Sequence, residues 1–145
     1  MKNIEKEELP LQHIERNPLF LLISALICAV IIYTGYNMLQ KMNPFGFLVL
    51  VPGAILSFQT LWWLLHPFAL VYEDKLEIKQ SLLHHKFRYF VDLKRVSESK
   101  TGKIYITYND DEMEALNLFG IRSSQVALLK SEMQKMVAEN MKHRL

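Results

Sequence analysis

The chain has one cysteine, Cys28, so it cannot form an internal disulfide, and the apolar run around that residue disfavours a reactive thiolate. Five glycines supply no phosphate-cradling loop, no dinucleotide fingerprint and no Gly-x-Ser-x-Gly elbow. Histidines are few and badly spaced for metal: His84 and His85 are adjacent, hence on opposite faces of any strand, while His13, His66 and His143 stand alone. The acidic run Asp110, Asp111 and Glu112, with Glu114, lacks the alternating ligand positions and the glycine of a calcium loop. A net charge of +2, without aromatic residues interleaved on a basic groove, gives no sign of nucleic-acid binding. No catalytic residue, metal ligand or cofactor is therefore expected. A membrane-bound enzyme would need a polar constellation around Gln59, Trp63 and His66, with a pocket beside it.

The scarcest feature is charge in the first half. Residues 17 to 72 carry Lys41 alone, whereas residues 73 to 145 carry thirteen Lys or Arg and eleven Asp or Glu. Leu19 to Leu39 is free of charge and as a helix would reach about 31 Å, one hydrocarbon core. Phe45 to Leu65 is equally long and uncharged, and the short link between the two predicts an antiparallel transmembrane hairpin over residues 17–66. Each span opens on Asn-Pro, at Asn17-Pro18 and Asn43-Pro44, a cap followed by a residue suited to the first helical position. The polar, partly acidic lead and the length of the first run argue for an uncleaved anchor rather than a signal peptide. Lys2, Lys6 and Arg16 before the first span and Lys75 and Lys79 after the second outweigh Lys41, which predicts a multi-pass inner-membrane protein with both termini cytoplasmic.

Small residues mark the helix faces able to approach closely: Ser24 and Cys28, or Ala25 and Ala29, on the first helix, and Gly53 and Ser57 on the second. The same spacing serves hairpin packing or a homo-oligomer. Pro52 removes a donor inside the second helix and is expected to bend it. No ionisable group lies at depth, which argues against a transport pathway.

After His66-Pro67 the hydrophobic period changes to two. Short runs at 68–72, 75–79, 86–90, 93–98, 104–108 and 114–119 predict about six antiparallel strands, with Phe87 and Tyr89 alternating with Lys86, Arg88 and Phe90 and the basic residues on the solvated face. A final helix over about 123–141 carries Val126, Leu129, Met133, Met136 and Val137 on one side. The fold class expected is an α+β membrane protein: a transmembrane hairpin, then at 67–145 an antiparallel sheet or small barrel closed by a C-terminal helix. The polar residues 1–16, broken by Pro10, are expected to be disordered.

The run Asp74-Lys75-Leu76-Glu77-Ile78, the strand Lys86-Phe87-Arg88-Tyr89-Phe90 and the segment Val91-Asp92-Leu93-Lys94-Arg95-Val96 resemble the bacterial membrane-bound proteins with a pleckstrin-homology-like (PH-like) domain. The likeness covers residues 68 to 140; Phe90 stands where Trp is common in the family, and six strands are counted against seven. It implies a non-catalytic binding or assembly module. Lys75, Lys79, Lys86, Arg88, Lys94 and Arg95, joined by Lys100 and Lys103, form a basic stretch just beyond the second span, suited to docking on anionic headgroups at about 1 kcal/mol per residue. The plainer reading, the solvated face of a half-buried sheet, accounts for the same alternation and outweighs specific lipid binding on pattern alone. The function expected is a membrane-anchored module binding a partner protein or anionic lipid headgroups. The alternative is an oligomeric membrane effector or channel subunit with a ligand-sensing cytosolic domain.

Overall fold

The Asn17 side chain accepts a hydrogen bond from the Leu19 amide at 3.0 Å and Pro18 occupies the first turn, so α1 (Pro18–Gln40) begins where its capping signal lies. It ends in a Schellman pattern: the Asn43 amide reaches the Met38 carbonyl at 3.0 Å and the Met42 amide reaches Leu39 at 2.9 Å, with Met42 in the left-handed region at φ 58°. Asn43 accepts from the Phe45 amide at 3.0 Å and starts a turn that contains Pro44, so the expected Asn-Pro start is displaced: α2 (Gly46–Leu65) opens after Phe45 with no side-chain cap and runs through Pro52. This computed structural model describes residues 9–81 and 83–144. By length and composition both helices are able to cross a membrane.

The helices meet through small residues. A Cβ at Gly35 or at Gly46 would lie 2.7 Å from a leucine side chain of the other helix, Leu50 or Leu39, and one at Gly53 would lie 2.8 Å from Ile31. Of the expected packing residues, Cys28 and Gly53 are buried, and the Cys28 Sγ lies 3.5 Å from the Thr60 hydroxyl. Ser57 donates to the Gly53 carbonyl of its own helix at 2.8 Å, and Ser24 is half-buried. Gly35 and Gly46 complete the contact and were not singled out by the small-xxx-small pattern. The rest of the helix surface is outward: Cys28 and Gly35 are the buried residues of α1, Gly46 and Gly53 those of α2.

Seven strands follow two antiparallel sheets. The first runs β1 (Gln12–Ile14), β2 (Ala69–Val71), β3 (Lys75–Ser81), β4 (His84–Tyr89), in that spatial order; the second runs β5 (Leu93–Glu98), β6 (Ile104–Tyr108), β7 (Met113–Ala115). The expected single sheet or small barrel is thus two sheets and not a closed barrel, because among the described residues no strand ladder joins them. The strand count rises from six to seven because β1, inside the segment expected to be disordered, pairs with β2 in the register Gln12 to Val71, His13 to Leu70 and Ile14 to Ala69. Residues 1–8 of that segment lie outside the described residues. The helical hairpin is therefore an insertion between two neighbouring strands, and the sheet domain includes residues on both sides of it.

The orientation of β4 also departs from expectation. Leu76 pairs with Arg88 and Ile78 with Lys86, and since paired residues share a face, Lys86 and Arg88 lie on the side of the buried Leu76 and Ile78. Phe87 and Tyr89 are on the outer face, 52% and 46% exposed, and Phe90 is fully buried in the 3₁₀ turn Phe90–Asp92. Period two reveals two faces but not which one is covered. α3 (Ser123–Arg144) closes the core, burying Leu129, Met133, Met136 and Val137 against Ile14, Phe68, Leu76, Ile78, Phe90, Leu93, Ile104 and Ile106, with Val126 packed at the margin.

Ile14 is fully buried in this core although it precedes the hairpin. Ile14→Ala is expected to lower the unfolding free energy of the full chain in detergent by about 2–4 kcal/mol. A denaturation midpoint matching the parent would show that β1 is not part of the cooperative unit.

Candidate functional site

The expected basic stretch is not one free face. Arg88, 6% exposed, donates through Nε to Glu114 Oε2 at 3.0 Å and through Nη2 to Oε1 at 2.5 Å, while Tyr108 Oη donates to the same carboxylate at 2.6 Å. Lys86 stands 3.8 Å from Glu114, Lys79 lies 3.9 Å from Glu77, and Lys94 is paired with Asp111. The Lys75 ammonium lies 5.2 Å from the Tyr72 ring centre. Arg95 alone of the six is exposed with no ion pair among the described residues. Arg88 thus belongs to the interior, bridging the inner face of β4 to β7 across the gap between the sheets.

Hydrogen bonds from Arg88 hold the Glu114 carboxyl down at about 2, burial acting the other way. Burial pulls the Arg88 guanidinium down, but the bond to and charge of Glu114 outweigh it and leave it raised. Tyr108 is raised, first by burial and then by its bond to Glu114.

A different constellation forms where the hairpin meets the sheets. Arg16, between β1 and α1, is 7% exposed, donates through Nη2 to the Lys79 carbonyl, and places its guanidinium carbon 5.6 Å from the Trp63 ring centre and 5.3 Å from that of Phe68. Trp63 Nε1 donates to the Gln80 carbonyl at 2.9 Å. Phe20 packs on Trp63 at 5.2 Å and edge-on against Phe119 at 5.0 Å, and the Asn17 amide donates to the Gly120 carbonyl at 2.7 Å. Gly120 has φ +85°, and a Cβ there would come within 3.1 Å of the Phe20 ring, so glycine suits both the turn and the approach. The domain is fastened to both helices by these contacts.

Beside this fastening lies a cavity of about 470 Å³ lined by Arg16, Arg122, His13, His66 and Glu15, together with Leu21, Leu64 and Leu65 at the ends of the helices nearest the sheets. It is the pocket that a membrane-bound enzyme would require near Trp63 and His66, but Gln59 is not part of it and its lining holds no serine, threonine, cysteine or tyrosine to act as a nucleophile. Burial alone lowers the Arg16 guanidinium to about 10, so it stays charged at neutral pH.

On the far side of α2, Trp62 stacks on His66 at 3.5 Å and meets His85 edge-on at 5.6 Å, and His85 Nδ1 and Tyr72 Oη each lie 3.3 Å from Glu77. Among the described residues no three His, Cys, Asp or Glu side chains gather as a metal set. Sequence reasoning counted Arg16 only as a flanking charge and passed over His13 and Arg122; no local pattern marks residues brought together from opposite ends of the chain. No family model, curated protein or solved structure matches this chain.

Glu114 ionises in the unfolded chain near 4.5 and in the folded one near 2. Its contribution to stability is therefore complete above about 4.5 and drains away as pH falls towards 2. Glu114→Gln leaves Arg88 buried without its counter-charge and is expected to cost about 2 kcal/mol at neutral pH, less than a fully buried pair because the carboxylate keeps solvent access. The variant should also flatten this acid limb in unfolding measurements from pH 5 to pH 2 (about the window set by the two values). An unchanged limb would assign it to other carboxylates.

Proposed function

We propose that this chain is a membrane-anchored, non-catalytic binding module whose PH-like domain is held against the bilayer surface and engages anionic lipid headgroups or a partner protein there. The observation that carries the reading is the insertion of two outward-facing apolar helices between the hydrogen-bonded neighbours β1 and β2. A soluble core helix would bury such surface. If the helices span, the β1–β2 ladder places the segment before α1 and the whole sheet domain at one membrane face, the cytoplasmic one by the distribution of basic residues.

Three features support contact with that surface. Trp62 and Trp63 lie in the last turns of α2, where indole rings favour the headgroup layer. The start of β4 adjoins α2 through His85 and Trp62, and near it Leu83 and Phe87 are 86% and 52% exposed. The junction cavity sets two arginines and one carboxylate, Glu15, beside apolar side chains of the helix ends. The PH-like reading draws on seven short strands and a closing C-terminal helix. A second reading, an oligomeric effector, is favoured by the apolar groove of about 640 Å³ that Ala25, Cys28, Ala29, Ser57 and Thr60 line between the helices, which would accept a helix of a second copy.

In a Cys28→Ser background, Met42→Cys at the hairpin link and Thr101→Cys at the β5–β6 turn are expected to react with an impermeant thiol reagent from opposite sides of sealed inner-membrane vesicles. Labelling of both from one side, or release of the chain by alkaline carbonate, would contradict the anchoring.

A further inference from the structure

Arg16 carries a charge into the protein without a carboxylate to meet it. Its Nε is buried without a hydrogen-bond partner, and no ion pair to it exists among the described residues. A buried guanidinium in this state is costly, and the usual remedy is an anion with oxygen acceptors. Arg16 lines the junction cavity, and Arg122, exposed and likewise without an ion pair, lines it from the other side. α3 begins at Ser123, directly after Arg122, bringing the positive end of a 22-residue helix to the same rim, with Gln125 in the lining. His13 and His66 add ring nitrogens, and Glu15 is the one carboxylate present.

Two arginines against one glutamate leave a single positive charge. That balance matches a phosphodiester with one negative charge better than a phosphomonoester with nearly two. The remaining lining decides between a soluble phosphate and a lipid. Leu21, in α1, and Leu64 and Leu65, at the end of α2, line the same cavity at the helix ends nearest the sheets, which in the membrane-anchored reading is where the helices leave the hydrocarbon. The volume of about 470 Å³ suits a headgroup with its glycerol. Cations on the sheet side and leucines on the helix side repeat the polarity of a phospholipid standing in its leaflet.

We infer that the junction cavity is a binding site for the phosphodiester headgroup of one anionic glycerophospholipid, with Arg16 and Arg122 as its phosphate ligands and Leu21, Leu64 and Leu65 against its glycerol and upper acyl chain. The inference rests on the membrane-anchored reading and sharpens it: the lipid supplies the counter-charge that Arg16 lacks when the domain is seated at an anionic leaflet.

The test uses the full chain, delipidated in detergent and given equal amounts of phosphatidylglycerol and phosphatidylcholine, with retained lipid read by native mass spectrometry. One phosphatidylglycerol per chain is expected, preferred by about tenfold: both lipids offer the same phosphodiester to the arginines, but the choline cation of phosphatidylcholine repels the site's surplus positive charge. Arg122→Gln, at an exposed position, should fold normally and abolish the preference, and Arg95→Gln should leave it intact. Arg16→Lys should weaken it; if that variant does not fold, Arg122→Gln still decides. Equal retention of the two lipids by the parent, or parent-like preference in Arg122→Gln, would overturn the site. So would displacement of phosphatidylglycerol by excess inorganic phosphate together with an equal rise in thermal midpoint from phosphate alone, which would assign a free phosphate instead. A chain that loses the preference while remaining carbonate-resistant in membranes removes this pocket only, whereas extraction by carbonate removes the anchoring beneath it.

Discussion

The β1–β2 ladder, three residue pairs long and reinforced by the Phe68 amide donating to the Ile14 carbonyl at 2.8 Å, closes the chain around the whole helical hairpin. Much of the remaining architecture follows from that closure. Two helices of similar length, 23 and 20 residues, rise about 35 and 30 Å, so the chain returns to the level from which it left and the two strands meet without a long loop. The same return brings Arg16 and Trp63 together under Lys79 and Gln80, and it sets the Phe119–Gly120 turn against Phe20. A domain joined to its anchor by one linker would tumble; this one is held at both ends of the hairpin and by side chains between them.

Polar groups in the interior fall into two kinds. Arg88, Glu114 and Tyr108 form a set in which each charge has its partner, although Arg88 Nη1 is buried without a hydrogen bond, and the set bridges two sheets that no strand ladder joins among the described residues. This is a structural use of a basic residue in a segment whose sequence suggests a docking face. Arg16 is the other kind: aromatic rings and one carbonyl surround it, and nothing neutralises it within the described chain. At the helix–sheet junction, a cavity of about 470 Å³ brings Arg16 together with Arg122 and the leucines of the helix ends.

The helices were legible because their signals are local and strong: long uncharged runs, the Asn17-Pro18 pair at the start of α1, and an apolar stripe through Leu129, Met133, Met136 and Val137. β1 was not, because three residues after Pro10 carry almost no period and their partner strand lies beyond the entire hairpin. The inward face of β4 was misjudged because Phe87 and Tyr89 outrank Lys86 and Arg88 in hydrophobicity; only the presence of Glu114, delivered from β7, makes an inward arginine tolerable. Gly35 and Gly46 escaped notice since they sit on different helices near the turn, and their closeness is a property of the pair. The junction cavity draws on residues from 13 to 125 and has no contiguous signature.

Pairing of strands across the hairpin is the claim on which the rest stands, and a covalent trap reads it directly. In the Cys28→Ser chain, residues 13 and 70 are register partners and should approach within disulfide reach when both are replaced by cysteine. Mild oxidation of His13→Cys, Leu70→Cys protein in native membranes is expected to give an intramolecular crosslink that keeps the two halves together after proteolysis at the hairpin link. Halves that separate on a non-reducing gel, with both thiols still free, would contradict the account.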